Sequence, residues 1–432
     1  MFLIKNLAKK IVAKILCLEA RLIIKRYQPK VVGVTGSVGK TSTKDAIAKV
    51  LAVKYQVRKS EKSYNSEFGL PLTIIGAKSA WNSSLGWLEI IARGLWVAIS
   101  GQKYPEWLVL EVGADRPGDI KNVVKWLPID IGVLTRLPAV PVHIEFFKNK
   151  HQYLEEKISL VKSLTEAGWA ILNFDDPVIK DLIDKLKARV ISYGHTSEAK
   201  ILISNEQLYY DNDQLAGLNF KLDYVGDSLP VRLSGIIGRH QIGAATAAFA
   251  VGVTQGINLV EIVEALSGVD FPPGRLRVLT GIKNTILLDD TYNASPTAMQ
   301  AGLESLAEIG TIGRKVAVLA DMMELGEHTV EEHRKIGSQV AGIVNELILV
   351  GLRSRFIAEG AIEAGMDKKK IHQFDEAVEA GKYLQKIIAK GDIIYFKGSQ
   401  SMRMEKAVEE VMAEPEKKEK LLVRQEKEWL GR

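Results

Sequence analysis

Apolar residues near the N-terminus recur at spacings of three and four: Ile4, Leu7, Ile11, Ile15, Leu18 and Leu22. That period predicts an amphipathic helix over residues 2–26. No apolar run in it reaches the ~18 residues needed to cross a bilayer. The pattern then changes. Val31, Val32 and Val34 form a β-branched run, glycines follow, and helical spacing resumes from Thr43 to Leu51. Strand, turn and helix are predicted there. Residues 81–104 are aromatic and apolar, interrupted by Glu89 and Arg93. A buried or half-buried helix fits them, and so does a tryptophan-rich helix at a membrane interface.

Apolar runs at 107–112, 129–134 and 168–173 read as further strands, and residues 201–235 alternate in the manner of a small antiparallel patch. Helices are expected over 241–253 and 259–267. Phe271-Pro272-Pro273-Gly274-Arg275 then breaks the pattern. Beyond it, strands at 286–288, 316–319, 347–350 and 393–396 alternate with helical stretches, the signature of a second parallel sheet. The expected fold class is α/β, in four parts. A basic amphipathic helix (1–29) precedes a central phosphate-loop domain with a mostly parallel sheet (30–272). A C-terminal Rossmann-like α/β domain (273–413) and a charged tail, helical or frayed (414–432), complete the chain.

Composition adds limits. With 432 residues, 47% hydrophobic and 25% charged, the chain has the make-up of a soluble globular protein of several domains. Its one cysteine, Cys17, excludes a disulfide framework and a cysteine metal cluster. No cleavable signal peptide is visible, so a cytoplasmic location is expected. The formal charge of +6 is unevenly spread. Eight of the 58 basic residues but only one of the 52 acidic ones, Glu19, fall within residues 1–30. The remainder is close to neutral, so no nucleic-acid partner is expected. A basic amphipathic helix can lie on an anionic membrane at the inner face, or bury its stripe on the domain behind it. Both stay open.

Candidate chemistry gathers at strand ends, where doubly wound sheets bind ligands. After the first strand comes Gly36-Ser37-Val38-Gly39-Lys40-Thr41-Ser42. Its glycines let successive N–H groups converge on one anion, and the following helix adds its positive end. Lys40 can reach the β/γ-phosphates and the Thr41 hydroxyl a Mg²⁺. The strict Walker spacing would need glycine at position 34, where valine stands, so the match is the shorter Gly-x-x-Gly-Lys-Thr form. Glu111 ends the strand at 107–112 and can hold Mg²⁺ opposite the loop. Asn65 sits among small polar residues before a Gly-Leu-Pro turn, and His143 follows a strand end. Gly238-Arg239-His240, Asp290-Thr291-Tyr292-Asn293 and Lys397-Gly398-Ser399 mark the later strand and helix ends.

Taken in order, these motifs resemble the Mur ligase family from about residue 30 to 412. Within it the resemblance is nearest to the branch that adds D-alanyl-D-alanine to UDP-N-acetylmuramoyl-tripeptide. The Tyr292-Asn293-Ala294 and Met323-Glu324-Leu325-Gly326 forms favour that branch. The resemblance implies an ATP-dependent ligase that makes an amide bond through an acyl phosphate. It implies that the loop residues Gly36 to Ser42, with His240, Arg275, Asp290 and Asn293, bind ATP. Thr41, Glu111, His143 and Lys157 would serve two Mg²⁺ sites, Lys157 as a carbamate. Lys40, Glu111, His143 and Lys157 would carry the catalysis. Asn65 and Lys397 would face the muramoyl-peptide substrate, and a monomer is expected.

Three features depart from the family pattern. Only about 30 residues precede the loop, so the uridine-binding N-terminal domain of this branch is expected to be missing. Ala244 stands where the family has an asparagine. Arg136-Leu-Pro-Ala-Val-Pro-Val precedes His143 in place of the usual Asn-Ile-Gly form. The first departure leaves a second enzyme reading open, a Mur-type ligase with another carboxylate acceptor, lipid-linked or close to a membrane. A nucleotide-binding scaffold without ligase activity would need none of Lys40, Glu111, His143, Lys157, Arg275 and Asp290.

Overall fold

The computed structural model describes residues 2–37, 39–61, 68–80, 83–137, 146–212, 214–426 and 429, with backbone alone for 2–8. Val38, Asn65 and His143 lie outside the described residues.

The chain opens with α1 (Phe2–Tyr27) and enters β1 (Lys30–Thr35), α2 (Lys40–Leu51), β2 (Val57–Lys59) and α3 (Gly69–Ile75). Next come α4 (Ser84–Ser100), β3 (Trp107–Glu111), α5 (Asp119–Val124), β4 (Ile131–Leu134) and α6 (Lys150–Lys162). β5 (Trp169–Asn173), α7 (Pro177–Ile183) and β6 (Arg189–Gly194) follow. The domain closes with β7 (Ile201–Asp211), β8 (Gln214–Tyr224), β9 (Asp227–Ser234), α8 (His240–Thr254) and α9 (Leu259–Ser267). These strands form one sheet in the order β2-β3-β1-β4-β5-β6-β7-β8-β9. β2 to β7 pair in parallel and β7-β8-β9 are antiparallel.

The period-2 alternation of the strands sorts the helices. Val32, Val34 and Val109 face the core beneath α2, α8 and α9. Val31, Leu108 and Leu110 face the opposite core, which α1, α3 and α4 cover. Strand order reverses around β1, so its carboxyl end opens into a crevice between β3 and β4. There Val34 pairs with Glu111 and Thr35 with Leu134.

The N-terminal helix forms as its spacing predicts, but the described part of the named stripe does not face the domain. Leu16, Ala20, Ile23 and Ile24 pack into the core, while Ile11, Ile15, Leu18 and Leu22 are exposed. α4 is half-buried: Ile90, Gly94, Val97 and Ala98 face inward, and much of its apolar surface faces out.

The C-terminal domain begins with the antiparallel pair β10 (Arg277–Gly281) and β11 (Thr285–Asp289). α10 (Pro296–Glu308), β12 (Lys315–Ala320), α11 (Thr329–Ala341), β13 (Glu346–Val350) and α12 (Arg355–Glu363) follow. β14 (Ile371–Phe374), α13 (Ala377–Ile387) and β15 (Ile393–Lys397) complete the alternation. The order is β10-β11-β15-β12-β13-β14, parallel except for the first pair. α10, α11 and α12 cover one face and α13 the other.

Beyond the last strand the tail is not frayed through its described part. Arg424 is buried and donates to Glu405 Oε2 at 2.7 Å and to the carbonyls of Thr291 and Tyr292 at 2.5 and 2.8 Å.

Candidate active site

β1 delivers the phosphate loop to the crevice. Gly36 adopts a φ of 139°, and a Cβ there would meet Thr135 Oγ1 at 2.0 Å, so only glycine fits between the loop and β4. Ser37 N donates to the Arg136 carbonyl at 3.1 Å, and its hydroxyl bonds Tyr153 OH at 2.5 Å. The loop is thus tied to the end of β4 and to α6. Lys40 bends back to donate to the Ser37 carbonyl at 3.2 Å, and burial lowers the pKa of its amine. Thr41 Oγ1 donates to Glu111 Oε2 at 2.8 Å, which joins the first turn of α2 to the end of β3. Ser42, expected among the loop contacts, is buried behind it.

Lys157 enters from α6. Its neighbour Glu156 accepts from the N–H groups of Gly118, Ile120 and Lys121 at 2.9, 2.8 and 3.1 Å. That bond fixes α6 against the start of α5 and sets the direction of the next side chain. Lys157 Nζ donates to the Ala114 carbonyl at 3.2 Å, and its pKa is pulled down to about 7 by burial and the adjacent Lys40 cation. Among the described residues no cluster of three histidine, cysteine or acidic side chains could hold a metal. The metal set expected from sequence is therefore represented by Thr41, Glu111 and Lys157.

The C-terminal domain forms the opposite wall. Lys40, Thr41, Glu111 and Lys157 share a cavity of about 710 Å³ with Arg275 and Asn293. The Arg275 guanidinium lies 3.9 Å from the centroid of the Tyr292 ring. Such stacking holds the guanidinium plane while leaving its edge to meet an anion. Asn293 Oδ1 accepts from Gln400 N at 3.3 Å.

Two residues expected at ligand stand behind the wall instead. Asp290 and Lys397 are both buried and paired at 2.5 Å. Lys397 also donates to the Asn293 carbonyl at 3.1 Å. β11 and β15 are neighbouring strands, so the two ends converge and Lys397 is consumed in holding the Asp290–Asn293 turn. Neither Asp290 nor Lys397 lines the first cavity.

His240 lines a second cavity, of about 600 Å³, that shares Gly39 with the first. Burial and the nearby cations Lys397, Arg275 and Arg136 push its pKa down to about 3, so the ring is neutral at ordinary pH. Ala244 also lines this cavity. A charged network forms part of its lining. His195 Nδ1 lies 2.6 Å from Asp175, His195 Nε2 lies 2.5 Å from Glu206, and Arg239 links Glu206 at 2.5 Å to Glu308 of α10 at 2.7 Å.

Several lining residues escape a sequence reading. Tyr153 precedes Lys157 by one helical turn, and that spacing is the signal that places both on one face. Arg403 and Trp429 also line the first cavity, and Arg403 donates to the Trp429 carbonyl at 2.8 Å. A lone aromatic in a charged tail is the only hint of Trp429.

Comparison with known proteins agrees with this geometry. The Mur ligase middle domain matches residues 34–252, and the Mur ligase glutamate ligase domain matches residues 274–400. The UDP-N-acetylmuramoyl-tripeptide–D-alanyl-D-alanine ligase of Bacillus subtilis is 26% identical over 397 residues, 92% of this chain and 79% of that one. The enzyme of the same name from Mycobacterium leprae is 30% identical over 395 residues, 86% of this chain and 71% of its own. The solved MurF ligase of Thermotoga maritima, in complex with ADP, superposes with a TM-score of 0.76 at 28% identity. That superposition covers 94% of this chain and 84% of the other. With both of its sheets and its loop accounted for, the chain belongs to the Mur ligase family, the ATP-dependent enzymes that form amide bonds in peptidoglycan-precursor synthesis.

Proposed function

We propose that the chain joins D-alanyl-D-alanine to a UDP-muramoyl-tripeptide, using ATP to activate the peptide's terminal carboxylate. The supporting observation is the cavity between the domains, with Lys40, Thr41, Glu111 and Lys157 on one wall and Arg275 and Asn293 on the other. The relatives of this specificity match over most of the chain.

In this reaction a carboxylate oxygen attacks the γ-phosphorus and ADP leaves. The dipeptide amine then attacks the acyl carbon, and inorganic phosphate departs as the amide forms. Such chemistry asks the protein mainly for position and charge. The loop N–H groups and Lys40 hold the triphosphate. Arg275, kept in place by Tyr292, meets the transferred phosphoryl group from the other domain. The nucleoside end extends toward the second cavity, where the neutral His240 ring offers a flat wall.

The donors at the loop fit a divalent cation: a hydroxyl and a carboxylate lie 2.8 Å apart beside the lysine. Thr41 and Glu111 would hold Mg²⁺, and Lys157 would join them as a carbamate, with its amine able to lose its proton near neutral pH. Bound Mg²⁺ supplies neutralisation of the phosphate charge.

The test is phosphate release from ATP with UDP-muramoyl-tripeptide, with and without D-alanyl-D-alanine. Turnover that needs both substrates supports the proposal; turnover indifferent to the dipeptide ends it. A second reading, a lipid-linked carboxylate acceptor, is favoured by the exposed apolar residues of α1 and α4. Activity with a muropeptide carried on a polyprenyl lipid, and none with the soluble nucleotide, would select it.

A further inference from the structure

α1 and α4 lie side by side on one face of the central sheet, sharing a core with α3. Tyr27 OH donates to the Val97 carbonyl at 2.9 Å, and Gly94 leaves room for the Glu19 carboxylate, which a Cβ would meet at 2.1 Å. The two helices therefore form one outer layer, and each turns apolar surface to solvent.

On α1 the outward row is Ile11, Ile15, Leu18 and Leu22, spaced four, three and four apart. On α4 it is Leu85, Leu88, Leu95, Trp96 and Ile99, with exposures of 79% at Leu85 and 68% at Ile99. Isolated exposed side chains of this kind are ordinary, but two adjoining helical rows are not. Helical spacing fixes what flanks the α1 row. Lys10, Lys14, Arg21 and Lys25, separated by four, seven and four, run along the same exposed side. The one acid of α1's described part, Glu19, is buried.

We propose that this two-helix face docks on an anionic lipid bilayer, lying flat with its apolar rows at the acyl boundary and its basic row among the headgroups. The charge chooses the occupant. A second copy of the chain would bring its own basic row against this one, whereas anionic headgroups complement it. Trp96 suits the boundary between headgroup and acyl chain. No helix among the described residues is long and apolar enough to cross a membrane, so contact is peripheral. The proposal does not rest on the identity of the ligase substrate.

Deleting α1 is the wrong test, because Leu16, Ala20 and Ile23 belong to the core. The full chain is instead floated with vesicles of phosphatidylcholine alone and of phosphatidylcholine with phosphatidylglycerol. Two outward variants accompany it, Leu95→Asp/Trp96→Asp and Lys14→Glu/Lys25→Glu. The wild type should bind the anionic vesicles and release as salt rises. The apolar variant should lose binding. The charge-reversed variant should lose ~10-fold or more in affinity, from ~1 kcal/mol per basic residue. Unchanged melting temperatures and phosphate release in lipid-free buffer would show that both variants fold. Failure of the wild type to bind anionic vesicles, equal binding by all three proteins, or a solution dimer abolished by the apolar variant would each overturn the proposal.

Discussion

Lys397 Nζ and Asp290 Oδ2 lie 2.5 Å apart with both side chains buried, and the same ammonium donates to the Asn293 carbonyl at 3.1 Å. The pair ties the ends of β11 and β15 and holds the turn that carries Tyr292 and Asn293 to the cavity. Removing one partner strands the other as a buried charge. Lys397→Met should cost about 3–5 kcal/mol in chemical denaturation, and Lys397→Met/Asp290→Asn should recover part of it. A loss below ~1 kcal/mol in the single variant would show that the pair is not what holds the turn.

Lys40 has a different kind of role. Among the described residues its hydrogen bond is one long contact to the Ser37 carbonyl. Lys40→Ala should therefore leave the melting temperature almost unchanged while lowering ATP turnover by ~100-fold or more, the scale of losing one preorganised charge at a phosphoryl group. Phosphate release and a thermal melt on the same preparation check both halves.

His195 gives the central domain a pH dependence on the alkaline side. Hydrogen bonds to Asp175 and Glu206 raise its pKa from the ordinary 6.5 to about 10. A cation favoured by folding stabilises fully below its unfolded pKa and loses that contribution as pH climbs through the folded one. Wild type should thus lose stability between about 6.5 and 10 relative to His195→Gln. The site is half exposed, so salt should shrink the difference. Parallel melting curves for the two proteins would refute the link.

Glu19 works in the opposite sense. Burial between α1 and α4 raises its pKa from 4.5 to about 7, and neither oxygen has a hydrogen-bond partner among the described residues. An acid with a raised folded pKa costs nothing below its unfolded value and progressively more as pH rises to the folded one. Glu19→Gln should be near neutral at pH 4 and stabilising by ~1 kcal/mol or more at pH 8. Melting temperatures across that range test it.

How far sequence reaches can be read from single residues. β1, the loop and α2 are legible because a β-branched run, glycines and a helical period each leave a local mark. Glu111 is legible because it ends an apolar run. Lys157 is reached only through the family resemblance, since a helical lysine in a polar stretch looks the same buried or solvated; its inward turn accompanies the cap that Glu156 makes on α5. The period of α1 is legible but its orientation is not. Both Ile11–Leu22 and Leu16–Ile23 offer apolar rows, and which one meets the sheet is decided by packing. The resemblance places Lys397 at substrate, and sequence gives no sign that Asp290, 107 residues away, engages its ammonium in a buried pair. Arg424 is hidden for the same reason: a charged tail residue announces neither burial nor partners.

The tail has one further consequence. Arg424 fastens it to the Thr291 and Tyr292 carbonyls, so Trp429 travels with the C-terminal domain while lining the cavity that holds Lys40. Trp429 is thus placed to serve as an optical gauge. Any nucleotide that draws the two walls together should change the polarity around that indole, an emission change that comparison with Trp429→Phe separates from the other six tryptophans.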